Sequence, residues 1–179
     1  MFNFRSESPE VLYPIDEIIS VTKKDLQELK LLARLNPRQR VRFCTHGSPS
    51  DSQHEMFIVH TKECYVRPHK HLGKAESMTI LEGEVDVVLF HEDGTMRQVI
   101  SMGPQNSGKV FYQRLSDAIY HTLIIRTDFL VFHEITGGPF LRGDTIFPEW
   151  APKEQGVTSA RFIEQVELQI KKKYNKSFL

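Results

Sequence analysis

Two histidines and a glutamate lie close together near the middle of the sequence. His69 and His71 are separated by one residue, and Glu76 follows five residues after the second histidine. Side chains at positions i and i+2 of a strand point to the same face, so two imidazoles at this spacing can bind one ion. Mixed histidine and carboxylate ligands with open positions are typical of catalytic metals. The pattern predicts a site for one divalent metal ion, with Fe, Zn, Mn and Ni all compatible.

A fourth ligand is expected from a later strand, where His91, His121 and His133 are available. His91 lies in a predicted hairpin turn, which is usually a solvated position. His121 begins an apolar strand after a polar loop, and we expect it to complete the metal set. His133 alternates with Glu134, so only one of these two side chains can face inward. The sequence leaves open which of them does so.

The same strand argument predicts an anion receptor beside the metal. Tyr65 and Arg67 have the same parity as the two histidines if residues 65–71 form one strand. An arginine at this place can bind a carboxylate or phosphate through two N–H groups. We therefore predict that both residues bind an anionic substrate and are candidate catalytic residues. The alternative is that Arg67 pairs with an internal acid such as Glu82 or Glu134.

Three arginines alternate along the chain at Arg38, Arg40 and Arg42. If this stretch is a strand, the three guanidinium groups share one face. We predict that this face lies near the metal and that the arginines receive a phosphate.

The predicted secondary structure is mainly β, with a helix towards each end. A helix is predicted at 22–36, with Thr22 as its cap and Asn36-Pro37 as its end. Short strands at regular spacing follow, as in a sandwich or barrel. We predict an N-terminal extension (1–54) whose helix packs on a barrel (55–139), then an irregular crossing with a terminal helix at 160–174 (140–179).

Composition limits the classes of function. The chain of 179 residues has 23 basic and 23 acidic residues, whereas nucleic-acid and membrane-surface proteins usually carry a basic excess. No apolar run of 18 residues is present, and the N-terminus lacks the pattern of a signal peptide. The two cysteines, Cys44 and Cys64, are expected to be buried thiols. We expect no nucleic-acid partner, no membrane insertion and a cytoplasmic location.

The chain resembles the WbuC family of cupin-fold metalloproteins. Its most specific matching stretch runs from Tyr65 to His71 and reads YVRPHKH. Further matching stretches are Asn36–Arg40, His46, Asp51, Gln53–Met56, Glu76, Leu81–Gly83, Val88–Phe90, Asp93-Gly94, Tyr120–Thr122, Glu134, Gly138–Phe140 and Trp150–Pro152. The resemblance implies a cupin double-stranded β-helix (a jelly-roll barrel) with a metal in its mouth, and a homodimer. It also implies a role among surface-polysaccharide (O-antigen or lipopolysaccharide) genes, and it adds His46 to the substrate-binding candidates.

Three functions are compatible with these observations. One is a metal-dependent enzyme, such as an isomerase or epimerase, that acts on a sugar or sugar nucleotide. The second is a metal-dependent dioxygenase of a small acid. The third is a sugar-binding cupin without catalytic activity, and the sequence does not choose among them.

Overall fold

The computed structural model describes residues 3–175. The strands and helices, in chain order, are β1 (Phe4–Ser8), β2 (Val11–Pro14), α1 (Lys23–Leu35), β3 (Arg40–Cys44), β4 (Gln53–Thr61), β5 (Lys70–His71), β6 (Glu76–Glu82), β7 (Val85–Phe90), β8 (Met96–Met102), β9 (Tyr112–Leu115), β10 (Tyr120–Ile125), β11 (Phe129–Gly137), β12 (Thr145–Ile146) and α2 (Val157–Asn175).

Two antiparallel sheets form the body of the protein. The larger has the strand order β1-β2-β3-β4-β11-β6-β9, and the smaller has the order β10-β7-β8. Their facing sides share one apolar core, to which Ile58 and Phe132 contribute from the large sheet and Val87 and Leu123 from the small one. Neighbouring strands that are distant in sequence, such as β4 and β11, show the crossed connections of a jelly roll. The predicted cupin β-fold with a helix towards each end is confirmed.

Helix α1 begins and ends where its local sequence dictates. The Thr22 hydroxyl accepts a hydrogen bond from the Asp25 amide, and the Asp25 carboxylate accepts one from the Thr22 amide. Pro37 ends the helix by excluding helical backbone at Asn36. Leu29 and Ala33, both fully buried, pack on the outer face of the large sheet. The helix therefore supports the strands that carry the arginines.

Helix α2 covers the outer face of the small sheet. Val166 and Ile170 pack there against Val88 and Ile124. It begins three residues before the predicted start and ends one residue after the predicted end. No helix in the described part of the chain combines the length and apolar character needed to cross a membrane.

The predicted strand over residues 65–71 is wrong. Only Lys70 and His71 form a strand, β5, which pairs with β12, and His69 forms a single bridge with His121. Pro68 lacks an N–H group and cannot donate to a ladder, which explains why the pairing starts after it. Side-chain parity therefore cannot be carried from His71 back to Tyr65.

Residues before the predicted barrel also take part in the large sheet. Strands β1, β2 and β3 continue it beyond β4, and β2 runs parallel to β3. This arrangement brings Arg40 and Arg42 onto the same inner surface as strand β4.

Candidate metal centre

The structure brings the four predicted ligands together at one point. One ring nitrogen from each of His69, His71 and His121 lies within 4.8 Å of the others. Glu76, the first residue of β6, places Oε2 3.0 Å from Nε2 of His71 and Oε1 3.5 Å from Nε2 of His121. Three imidazoles and one carboxylate therefore converge from three different sheets.

Backbone contacts fix the orientation of the histidine rings. The amides of His69 and His121 each donate to the other residue's carbonyl, at 3.1 and 2.9 Å. Nδ1 of His69 lies 2.8 Å from the Arg67 carbonyl, and Nδ1 of His121 lies 3.0 Å from the Ile119 carbonyl. A carbonyl oxygen only accepts, so each Nδ1 carries a proton and Nε2 is the ring nitrogen that faces the centre. Once Nε2 is deprotonated, this arrangement leaves it available to a metal.

The electrostatics of the site favour a bound cation. Burial, with repulsion from His121, lowers the pKa of His69 to about 3, which keeps this ring unprotonated. Burial tends to raise the pKa of Glu76, but hydrogen bonds from His121 and His71 hold it well below its usual value. Burial tends to lower the pKa of His121, but the hydrogen bond to Glu76 and the Glu76 charge raise it. A divalent cation bound here would take the place of that proton beside the ionised carboxylate. The residues present therefore fit the metal that the spacing predicts.

The four residues line a cavity of about 390 Å³ inside the barrel. Its wall includes five guanidinium groups, from Arg38, Arg40, Arg42, Arg67 and Arg142. Arg38 and Arg40 pair with Glu10, at 3.0 and 2.7 Å. A second cavity of about 560 Å³ shares His71 and Glu76 with the first, so open space lies on both sides of the centre.

Arg67 lies in the cavity wall without a carboxylate partner. Its Nη2 donates to the Pro148 carbonyl at 3.3 Å, and its guanidinium lies 4.6 Å from the centre of the Phe147 ring. Its Nε is buried and has no hydrogen-bond partner among the described residues. Pairing with Glu82 or Glu134, the alternative left open by the sequence, is not observed. A half-buried guanidinium without a carboxylate partner is suited to receive an anion.

Tyr65 and His46 are not part of this wall. The Tyr65 hydroxyl donates to the Pro152 carbonyl at 2.9 Å. His46 stacks on His54 at 4.0 Å between ring centres, and its Nδ1 contacts the backbone of Glu55. The structure therefore does not bring these two candidates to the metal ligands, because the strand that would have aligned Tyr65 is absent.

Glu134 and His60 also line the cavity. The sequence left undecided whether His133 or Glu134 faces inward, and it did not single out His60. His133 points to the opposite face of β11, where its ring lies 5.0 Å from that of Phe57. Burial, together with the nearby charge of Glu76, raises the pKa of Glu134 to about 8. His60 lies two residues after Ile58 on β4, so both side chains point to the same face. The sequence would have indicated this if the predicted strand had continued past Val59.

The fold and the convergent ligands define a jelly-roll β-protein with a candidate metal centre. A family profile described as a domain of unknown function, DUF6016, matches residues 21–102. No curated protein matches the chain.

Several solved structures are similar. Protein SO0799 from Shewanella oneidensis has 9% identity and a TM-score of 0.46, over 57% of this chain and 66% of that one. A mutant oxalate decarboxylase from Bacillus subtilis has 14% identity and a TM-score of 0.47, over 60% of this chain and 27% of that one. The Lactobacillus farciminis oxalate decarboxylase formate complex has 14% identity and a TM-score of 0.43, over 54% and 27%. The chain thus spans about a quarter of the length of these decarboxylases.

Proposed function

We propose that this protein is a metal-dependent cupin that acts on an anionic sugar or sugar nucleotide. The observation that carries the proposal is the convergence of His69, His71, His121 and Glu76 inside a cavity whose wall holds unpaired guanidinium groups. Metal ligands and anion receptors in one enclosed space are what such a substrate requires.

The four converging residues would hold one divalent ion, with Fe, Zn, Mn and Ni all compatible with their donor atoms. Such an ion would supply a Lewis acid that can bind water, substrate or dioxygen. Arg67 binds and orients the anionic group, while the buried carboxyl of Glu134 holds a proton inside the cavity. The apolar part of the wall, which includes Met78 and Phe132, excludes water from the reacting groups.

Other features of the proposal rest on the resemblance to the WbuC family. They are a role in surface-polysaccharide biosynthesis and a homodimeric assembly. The proposed cytoplasmic location rests instead on the two cysteines, which do not make a disulfide framework. We also propose the division into an extension (1–54), a barrel (55–139) and a C-terminal crossing with helix (140–179), in which β1–β3 extend a barrel sheet.

Elemental analysis tests the metal centre. We expect about one divalent ion per chain in the purified protein and loss of most of it in His71→Ala, because one of four ligands is removed. His91→Ala is the matched control, since His91 is exposed on a turn, and it should retain the metal. Equal metal contents in these two variants would contradict the assignment.

Turnover is tested by incubating the metal-loaded protein with a panel of nucleotide sugars and following the sugar protons by NMR. We expect conversion of one member, lost in His71→Ala and kept in His91→Ala. Oxygen uptake with a small acid, seen only in the iron form, would instead establish the dioxygenase. Binding of a sugar without conversion in any metal form would establish the non-catalytic alternative.

A further inference from the structure

The cavity continues from the metal centre towards a second group of polar residues. On the large sheet, His60 lies opposite Leu130, and Glu76 lies opposite Thr136. These two positions are six residues apart on β11, which corresponds to ~20 Å along the strand. Arg40 is the cross-strand neighbour of His60 on its other side. The cavity therefore has a metal end and a remote end.

Positive charge is in excess at the remote end. Arg38 and Arg40 line the cavity there and pair with Glu10, and Arg42 lines it two residues closer to the metal, opposite Ile58. Arg42 forms no ion pair within the described part of the chain. Three guanidiniums thus face one carboxylate, which leaves two positive charges that a bound dianion would neutralise.

His60 contributes a buried hydrogen-bonding group to the same end. Its side chain is 7% exposed, and its Nδ1 has no hydrogen-bond partner among residues 3–175. Burial, reinforced by Arg40, Arg42 and Arg38, lowers its pKa to about 3, so the ring is neutral. Leaving such an atom without a partner is unfavourable, and an Nδ1–H group that donates to a ligand oxygen would satisfy it.

The turn that carries the arginines is held rigidly against the strand of His60. Gln39, between Arg38 and Arg40, adopts a φ of +58°, which is rare for a residue other than glycine. Its side-chain amide donates to the carbonyls of Arg34 and Asn36, and its Oε1 accepts from the Thr61 hydroxyl at 3.0 Å. These hydrogen bonds hold the backbone of the turn that carries Arg38 and Arg40 against β4.

We propose that Arg40, Arg42 and His60 form a subsite for a phosphoryl dianion at the end of the cavity remote from the metal. This deepens the proposed function, since it assigns the phosphate end of the substrate, but phosphate binding here does not require the metal. The uncharged body of the ligand lies between, along apolar residues such as Ile58 and Phe132. The substrate class is thus an elongated phosphorylated molecule with a metal-binding group at its other end.

Calorimetric titration with inorganic phosphate at pH 8 tests the subsite. We expect one phosphate per chain in both the chelator-treated and the metal-loaded protein. Arg42→Gln and His60→Leu should each weaken binding at least tenfold, whereas Arg161→Gln, an exposed arginine on α2, should stay within twofold. Acetate, the carboxylate probe, should bind at least tenfold more weakly than phosphate.

Three outcomes would overturn the subsite: phosphate binding that disappears with the metal, equal losses in Arg42→Gln and Arg161→Gln, or equal affinities for phosphate and acetate. If a variant does not fold, the unaltered chain still decides, because phosphate should raise its unfolding temperature above that in chloride of equal ionic strength. His71→Ala separates the two proposals. This variant should lose the metal but still bind phosphate. Its metal content therefore tests the metal centre, and its phosphate affinity tests the subsite separately.

Discussion

The histidines of this chain differ in what their ring nitrogens contact. His69 and His121 donate from Nδ1 to backbone carbonyls, which directs Nε2 to a shared point beside Glu76. His60 has an Nδ1 without a partner in the described chain and lies among arginines. The same type of side chain therefore occurs in two different environments in one cavity, and the neighbouring backbone and charges set the difference.

The pKa of His60 predicts a specific pH dependence of stability. The folded chain keeps this ring neutral down to about pH 3, whereas the unfolded chain protonates it near pH 6.5. The unfolded state binds more protons in this interval, so the free energy of unfolding falls as pH decreases from 6.5 towards 3. In His60→Gln, the free energy of unfolding should fall less steeply with decreasing pH, by up to ~1.4 kcal/mol per pH unit.

Urea unfolding of the metal-free protein at pH 7, 6, 5 and 4 measures this slope. His69 remains in both proteins, so the difference between them isolates His60. His91→Gln, with its exposed ring, should reproduce the slope of the parent. If the free energy of unfolding depended on pH equally in His60→Gln and the parent, the His60 ring would not be held neutral by burial.

Sequence spacing located the ligand residues better than it located the residues around them. His69, His71 and Glu76 are close in the chain, so one short pattern includes all three. Tyr65 was misplaced because the parity argument needs a continuous strand, and pairing starts only after Pro68. The inward side of β11 could not be chosen from sequence, because Val131 and Phe132 are both apolar and both buried.

At the scale of elements, local signals were sufficient to place the helices, but they did not predict which strands pair. The ends of α1 depend on Thr22, Asp25 and Pro37, all within or next to the helix. Strand β2 instead depends on parallel pairing with β3, some thirty residues later, which no local pattern encodes. The inclusion of β1–β3 in the large sheet was therefore visible only in the structure.

The turn between β6 and β7 provides a prediction at this scale. Gly83 has a φ of +85°, and a Cβ there would lie 2.1 Å from the Phe129 carbonyl oxygen. Gly83→Ala should therefore lower the free energy of unfolding by roughly 3 kcal/mol or more, from backbone strain plus the clash. Denaturant unfolding measures the loss.

Gly108→Ala is the matched control for this substitution. Its φ of +75° is similar, but no atom lies within 4 Å of the added Cβ. It should cost only about 1–2 kcal/mol, the ordinary penalty of a left-handed backbone. Equal losses at the two glycines would mean that close packing against Phe129 does not constrain the turn.

For the whole molecule, the candidate metal centre lies where separate sheets meet. Glu76 begins β6 of the large sheet, His121 lies in β10 of the small sheet, and His71 belongs to the pair β5 and β12. Long-range contacts of this kind bring a large entropic cost, which the apolar core between the sheets offsets. An ion held by all of these strands would bind the folded chain and not the unfolded one.

Metal binding should therefore stabilise the whole fold by mass action. At a free metal concentration one hundred times the dissociation constant, the expected gain is about 2.7 kcal/mol, seen as a higher unfolding temperature. His71→Ala should show little response to added metal, whereas His91→Ala should respond like the parent. A similar response in His71→Ala would place the stabilising ion elsewhere. A response confined to proteins with all four residues would show that one ion connects the sheets, since its ligands converge only in the folded barrel.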